Sequence, residues 1–270
     1  MLPKQEDWKT FYDAMKRRSG LDLYKYKAQQ LQRRILSMME ARKVDSLADF
    51  WTWLDSSPEN ITWFMDKLAI NVSELFRNPE KWLEMRHKVI PDLLSRSNGL
   101  KIWSAGCSYG AEAYSMATLL EAHFPGRHQV VGSDIDQAAL SQAREGRFTE
   151  ADMRCVPAEY KLKYFLQSGS EWLARPELKK YVSFKTGNLL EDRFDSGFDM
   201  IMCRNVVIYF TDDAKNQLYE KFVAALKPNG ILFVGSTERV FTYKELGLET
   251  KLPFFYAKGS NGENKWRNAS

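Results

Sequence analysis

Histidine and cysteine are scarce: the 270-residue chain holds three of each. Cys107, Cys155 and Cys203 lie far apart with no Cys-x-x-Cys pairing, which supports neither a disulfide framework nor a zinc site. His87, His123 and His128 are too few to suggest a histidine-dependent hydrolase or a metalloenzyme. No apolar run approaches the roughly 20 residues that span a bilayer, and the N-terminal stretch lacks the apolar core of a signal peptide. A cytoplasmic chain without membrane insertion is therefore expected. Strong charge is missing too, since 39 Lys plus Arg against 35 Asp plus Glu leave +4, too little to call for nucleic acid as a partner. What is present is 44% hydrophobic residues, enough for a proper core.

The rest of the chain is organised around residues 101–120, KIWSAGCSYGAEAYSMATLL. Residues 102–105 read as a buried parallel strand, 106–110 as a tight turn between glycines, and Ala111 onward as a helix with Glu112 in its first turn. The turn lacks the full Gly-x-Gly-x-x-Gly pattern of a dinucleotide site, and no Lys-Ser/Thr follows it to meet a phosphate. An acidic first turn suits a cationic or hydroxyl-bearing ligand without phosphate, of which S-adenosylmethionine (SAM) is one. It equally suits a plain strand-to-helix connection with a stabilising glutamate. The other strand ends have to decide.

Residues 8–54 place apolar side chains at helical spacing, with breaks at Ser19-Gly20 and a capping signal at Asp45-Ser46. Basic residues, among them Arg33, Arg34, Arg42 and Lys43, gather on and around the second helix, as a solvated face or as a surface that reads a partner. Residues 69–79 leave helical grammar. There Asn71, Ser73 and Arg77 alternate with apolar anchors, as in a segment that packs down while pointing donors into a cleft, although Asn71 or Ser73 can also cap a helix. A second strand ends at Asp134, where a carboxylate accepts ribose hydroxyls in nucleoside-binding α/β folds or, alternatively, caps a helix; Asp136 is expected to cap helix 137–145. Residues 148–180 interrupt the alternation as an insertion with short strands. The sheet resumes over 181–185 and delivers Asn188 and Leu189, and strand 198–203 leads to Arg204, Asn205 and Tyr209. A helix over 211–226 is expected to stop at Lys227-Pro228-Asn229-Gly230, followed by strands at 231–235 and 252–258 and a tail at 259–270.

Glu112, Asp134, Asn188, Arg204 and Asn205 thus all fall just past strand C-termini, the edge where open α/β sheets bind ligands. With Asp134 for ribose, Asn188 for adenine and Glu112 near the aminoacyl end, the set reads as a SAM site. At this point INVSELFRNPEKW, IWSAGCSYGAEAYSMA, GSDID, GNLL, CRNVVIYF and LKPNGILFVGSTE, in this order, resemble the chemotaxis receptor glutamate methyltransferases, the CheR family. The resemblance spans nearly the whole chain. It implies an α/β fold, a class I SAM-dependent methyltransferase with a Rossmann-like, mostly parallel sheet and a small inserted β-subdomain, preceded by an all-α N-terminal domain. The implied boundaries are 1–70 for the helical domain, 71–85 for a linker contributing to the cofactor site, 86–258 for the methyltransferase domain with its insertion at about 148–185, and 259–270 for the tail.

The resemblance also implies that Asn71, Ser73, Arg77, Glu112, Asp134, Asn188, Leu189, Arg204 and Asn205 contact SAM or its product S-adenosylhomocysteine and that Tyr209 lies near the transferred methyl; Arg77, a cation able to hold a carboxylate with a forked hydrogen bond, is expected to orient the substrate, and no metal is expected. The partners it implies are the cytoplasmic helices of methyl-accepting chemoreceptors, met through Arg33, Arg34, Arg42 and Lys43 by a monomeric enzyme. Ala111 and Ala113 depart from the family's usual Gly-Glu-Glu-Pro-Tyr-Ser loop, and the insertion around 168–176 is short beside members that dock a receptor's C-terminal peptide. A glutamate carboxylate, with a pKa of about 4.3, is already ionised at neutral pH and asks for positioning more than for a general base. Two rival functions are a non-catalytic SAM-binding signalling adaptor and a nucleic-acid methyltransferase; the latter lacks an Asn-Pro-Pro-Tyr-type motif here.

Overall fold

In a computed structural model of the chain, which describes residues 3–68 and 73–259, the helical periodicity becomes α1 (Gln5–Ser19), α2 (Ala28–Ala41), α3 (Leu47–Asp55) and α4 (Pro58–Leu68). Trp8, Phe11, Tyr12 and Met15 share one stripe of α1, and all four are buried. Gly20 ends α1 in the left-handed conformation (φ 74°), its N–H donating to the Lys16 carbonyl at 2.9 Å. The Ser46 hydroxyl opens α3 by accepting from the Asp49 N–H at 3.1 Å. Phe11, Phe50 and Phe64 meet at ring-centroid distances of 6.0 to 6.3 Å in the centre of this unit. Full burial of each is worth about 1.5–3 kcal/mol.

After the linker the chain forms α5 (Pro79–Glu84), which runs through a π-helical turn (Met85–Val89) into α6 (Ile90–Leu94). Then come β1 (Lys101–Ala105), α7 (Ala111–His123), β2 (Gln129–Asp134), α8 (Gln137–Glu145), β3 (Arg147–Thr149), α9 (Ala158–Tyr164), β4 (Phe165–Ser168), β5 (Glu171–Ala174), α10 (Pro176–Lys179), β6 (Val182–Thr186), β7 (Phe198–Cys203), α11 (Asp212–Ala225), β8 (Leu226–Val234), β9 (Leu248–Leu252) and β10 (Phe255–Lys258). The main sheet has the order β6-β2-β1-β7-β8-β10-β9, parallel from β6 to β8 and antiparallel at β10 and β9. Each face has its own core. On β7, Met200 and Met202 face the cluster that holds α7, while Ile201 and Cys203 face the one that holds α11. The strand order reverses beside β1, and at that reversal the C-terminal strand ends open a crevice.

β3, β5 and β4 form a separate antiparallel sheet, so the inserted strands end at Ala174. An insertion drawn to 185 overlaps β6, whose residues 182–186 pair in parallel with β2 and belong to the main sheet. Two further expectations need correction. The Lys227-Pro228-Asn229-Gly230 stretch does not separate helix from strand: Leu226 is already extended (ψ 143°) and β8 begins there. The four residues form a bulge between the pairs Phe198–Leu226 and Met200–Ile231, with Asn229 at φ 60°. The final strand is a hairpin, because Pro253 and Phe254, the latter at φ 75°, turn the chain between β9 and β10.

The helical unit lies over the C-terminal edge of the sheet. Tyr26 makes an antiparallel bridge with Phe210, the Lys27 N–H donates to the Tyr209 carbonyl at 2.9 Å and the Thr211 N–H to the Lys25 carbonyl at 2.9 Å. Lys25 adds an ion pair to Glu191 at 2.8 Å.

Candidate active site

Between the helical unit and the strand ends lies a cleft of about 670 Å³. Its floor is the turn after β1. Gly106 sits at φ 74°, and a Cβ there would come within 2.5 Å of Val206, so only glycine lets this turn lie against the loop after β7. The Gly106 and Cys107 N–H groups both donate to the Ser133 carbonyl, fixing the turn to β2.

Two carboxylates are held at strand ends. Glu112, in the first turn of α7, accepts from the Ser104 hydroxyl at 2.8 Å and faces the Arg204 guanidinium at 3.4 Å. Burial pushes its pKa up, against the lowering by Arg204, Ser104 and Arg77. Asp134 closes β2 and accepts from the Ser108 N–H at 2.7 Å and the Asp136 N–H at 3.0 Å. Its pKa is likewise raised, chiefly by burial. Asp136 caps α8, accepting from the Ala139 N–H at 2.8 Å.

Arg204 is the hub of the far wall. Its side chain is 5% exposed. One terminal nitrogen faces Glu112, and the other donates to the Arg77 carbonyl at 3.1 Å and to Asn78 Oδ1 at 2.8 Å. The guanidinium lies over the Phe233 ring at 4.8 Å. Among the described residues its buried Nε has no hydrogen-bond partner. Arg204 thereby holds the linker, where Phe76 and Asn78 both take positive φ. The Arg77 side chain lines the cleft, and its charge acts on both Glu112 and Tyr209.

Ser73, Asn188, Leu189, Asn205 and Tyr209 also line the cleft. Asn188 closes its own loop, its Oδ1 accepting from the Leu190 N–H at 3.0 Å, and Leu189 is rooted in the core. Tyr209 ends a 3-10 turn (Val207–Tyr209), and burial raises its hydroxyl pKa. Asn71 lies outside the described residues.

The basic residues on and around α2 are not all at the cleft. Arg33 and Arg34 border the cleft beside Lys27 and Gln30, and Arg34 Nε donates to the Lys67 carbonyl at 2.6 Å. Arg42 and Lys43 do not line it. Eight residues of helix carry Arg42 about 12 Å further along the axis, where its guanidinium stacks 3.4 Å from the Trp53 ring centroid and 5.1 Å from that of Trp63. The basic cluster therefore runs from the cleft rim at Arg33 and Arg34 to the Trp53 end of α2. Sequence reasoning also passed over Tyr26, Gln30 and Ser37 on the helical side, and Ser108, Asn78 and Glu238 on the other. Of these, Ser108, Asn78 and Glu238 stand inside stretches that carry the family resemblance.

The donor set suits a ligand with a diol and a cation. It offers a buried carboxylate at Asp134 and a largely buried one at Glu112, an arginine Nε–H with no partner among the described residues, and at the turn no lysine for a phosphate. A mostly parallel sheet with this crevice and this floor defines a SAM-dependent methyltransferase. Residues 71–252 match the CheR methyltransferase SAM-binding domain, and residues 6–69 match the CheR all-alpha domain. The chain belongs to the CheR methyltransferase family. It is 37% identical to a chemotaxis protein methyltransferase of Listeria innocua over 96% of this chain and 100% of that one. It is 34% identical to chemotaxis protein methyltransferase 2 of Pseudomonas aeruginosa, covering 87% and 86% of the two chains. With the corresponding protein of Borreliella burgdorferi the identity is 30%, over 88% and 89%. SAM is the cofactor.

Proposed function

We propose that this chain transfers the SAM methyl group to glutamate side-chain carboxylates of chemoreceptors. The observation that carries the reading is one cleft with two unlike walls: the SAM-binding domain supplies buried carboxylates at its strand ends, and the all-alpha domain supplies Lys27, Arg33 and Arg34 along the opposite rim. A cationic rim suits an acidic, glutamate-bearing helix.

In this reading Asp134 pairs with the ribose hydroxyls, Asn188 and Leu189 border the adenine, and Glu112 takes the ammonium. Arg204 with its unused Nε, Asn205, Ser73, Arg77 and Asn71 complete the enclosure. When bound, SAM supplies a methyl group activated by its sulfonium. That chemistry would turn an already ionised substrate carboxylate into a methyl ester and leave S-adenosylhomocysteine, so it would ask no proton transfer of the chain's own residues. The chain's task is orientation. In this reading Arg77 holds the carboxylate with its planar fork, and the Tyr209 hydroxyl, whose pKa burial moves further above neutrality, lines the same cleft as a neutral donor.

The test is radiolabelled methyl transfer from SAM to receptor-bearing membranes, with base treatment of the product. Receptor label released by mild base as methanol is expected. Base-stable label or label in nucleic acid would overturn the substrate assignment, and SAM binding without any transfer would leave an adaptor.

A further inference from the structure

Among the groups outside the proposed contacts with cofactor and substrate, one buried carboxylate is bound entirely by backbone. Glu238 follows β8 and is 4% exposed. Its Oε2 accepts from the Asn205 N–H at 2.6 Å and the Gly235 N–H at 2.9 Å; its Oε1 accepts from the Val206 N–H at 2.9 Å, and the Ile208 N–H is a fourth donor. A carboxylate has about four lone-pair sites, so this one is saturated. Gly235 makes the approach possible, since a Cβ there would lie 2.3 Å from Glu238 Oε2. Three of the four donors belong to the loop after β7, which carries Arg204, Asn205 and Tyr209 into the cleft and gives the Tyr209 carbonyl to Lys27 of the helical unit. Asn205 is held there at φ 61°.

We propose that Glu238 is a positioning residue for methyl transfer: its carboxylate gathers the backbone of residues 205–208 and so fixes Asn205 and Tyr209 against the cofactor and against the helical unit. The inference rests on the reading of this cleft as the methyl-transfer site, and extends it to a residue that touches neither substrate nor cofactor. A neutral isostere cannot replace it. In Glu238→Gln one oxygen becomes an NH₂ group that faces backbone donors, leaving buried N–H groups without an acceptor while size is kept. Misplacement of a positioning loop acts on the chemical step more than on capture of the substrate.

The experiment compares the full-length wild-type chain, Glu238→Gln and Gly235→Ala, the latter keeping the charge but pushing a methyl group into the carboxylate's place. Single-turnover methyl transfer, receptor KM and amide exchange of residues 204–210 without cofactor are read together. Both variants are expected to keep receptor KM within about twofold, to lose at least about tenfold in kcat, and to exchange faster in that loop alone. Glu238→Asp, which keeps the charge on a shorter stem, is expected to restore slow exchange only in part. A folded Glu238→Gln or Gly235→Ala protein with wild-type kcat and exchange overturns the proposal. So does failure of both to fold, which would make Glu238 a determinant of the whole fold. The exchange readout needs no substrate, so inactivity of the wild-type chain toward receptors would sink the proposed function without touching the loop result.

Discussion

The two walls of the cleft are built by opposite rules. On the α/β side Glu112, Asp134 and Arg204 are nearly or fully buried, and each is held by at least two partners. On the helical side Arg33 and Gln30 stand exposed on α2. A small cofactor has one pose, so its wall gains from fixed dipoles that need no reorganisation. A helix of another protein presents itself with more latitude, and long cationic side chains serve capture and register. Arg77 and Tyr209 lie where the walls meet.

The sharpest way to break this contrast is at that meeting point. Arg77→Ala is expected to lower methyl-transfer kcat by about two orders of magnitude. Arg77→Lys, which keeps charge but loses the planar fork, should fall between it and the wild type with cofactor affinity nearly unchanged. Full kcat in the lysine variant with weaker cofactor binding in both would move Arg77 to the cofactor wall and pass the orienting role to Tyr209.

Within the fixed wall, Asp134→Ala should weaken S-adenosylhomocysteine binding by about 1–3 kcal/mol, the usual cost of leaving buried polar groups unpaired. Titration calorimetry showing unchanged affinity removes Asp134 from the site. On the helical wall, reversing Arg33 and Arg34 to glutamate should raise receptor KM severalfold, in a manner that fades with added salt, and leave cofactor affinity alone. Arg42→Glu, at the far end of α2, should change KM less. An equal effect from Arg42 would restore a single recognition surface along the helix.

The smallest expected effect lies where the walls are joined. On α4, Asp66 sits beside Asp136, the cap of α8; its Oδ1 is buried, and burial together with the neighbouring carboxylate pushes its pKa up to about 6. Lys67 opposes the shift. An acid whose folded pKa is raised binds more protons folded than unfolded, so its contribution is full below about pH 4 and is lost as pH rises to about 6. Asp66→Asn should flatten that part of the stability-against-pH curve in denaturant titrations. A curve of wild-type shape in the variant would show that Asp66 is not the titrating group.

Sequence alone was enough for much of what is local, though not for the bulge at 227–230 or the turn at Pro253-Phe254. The stripe Trp8, Phe11, Tyr12, Met15 made α1, Gly20 ended it, Ser46 and Asp136 announced their caps, and the strand, glycine turn and acidic helix start of 101–112 marked the crevice floor. Periodicity, positive φ and capping depend on neighbours within a turn or two, so they are written in adjacent letters. Tertiary structure decided how residues far apart share work. Arg204 reaches back 127 positions to the Arg77 carbonyl, and Glu238 collects the Asn205 N–H from 33 positions away. Packing likewise placed Arg34 on the cleft and Arg42 on Trp53, which the count of basic residues could not separate. No local pattern encodes such pairings, because what fixes them is which strand ends the parallel sheet brings side by side, and that order is set by the burial of both its faces.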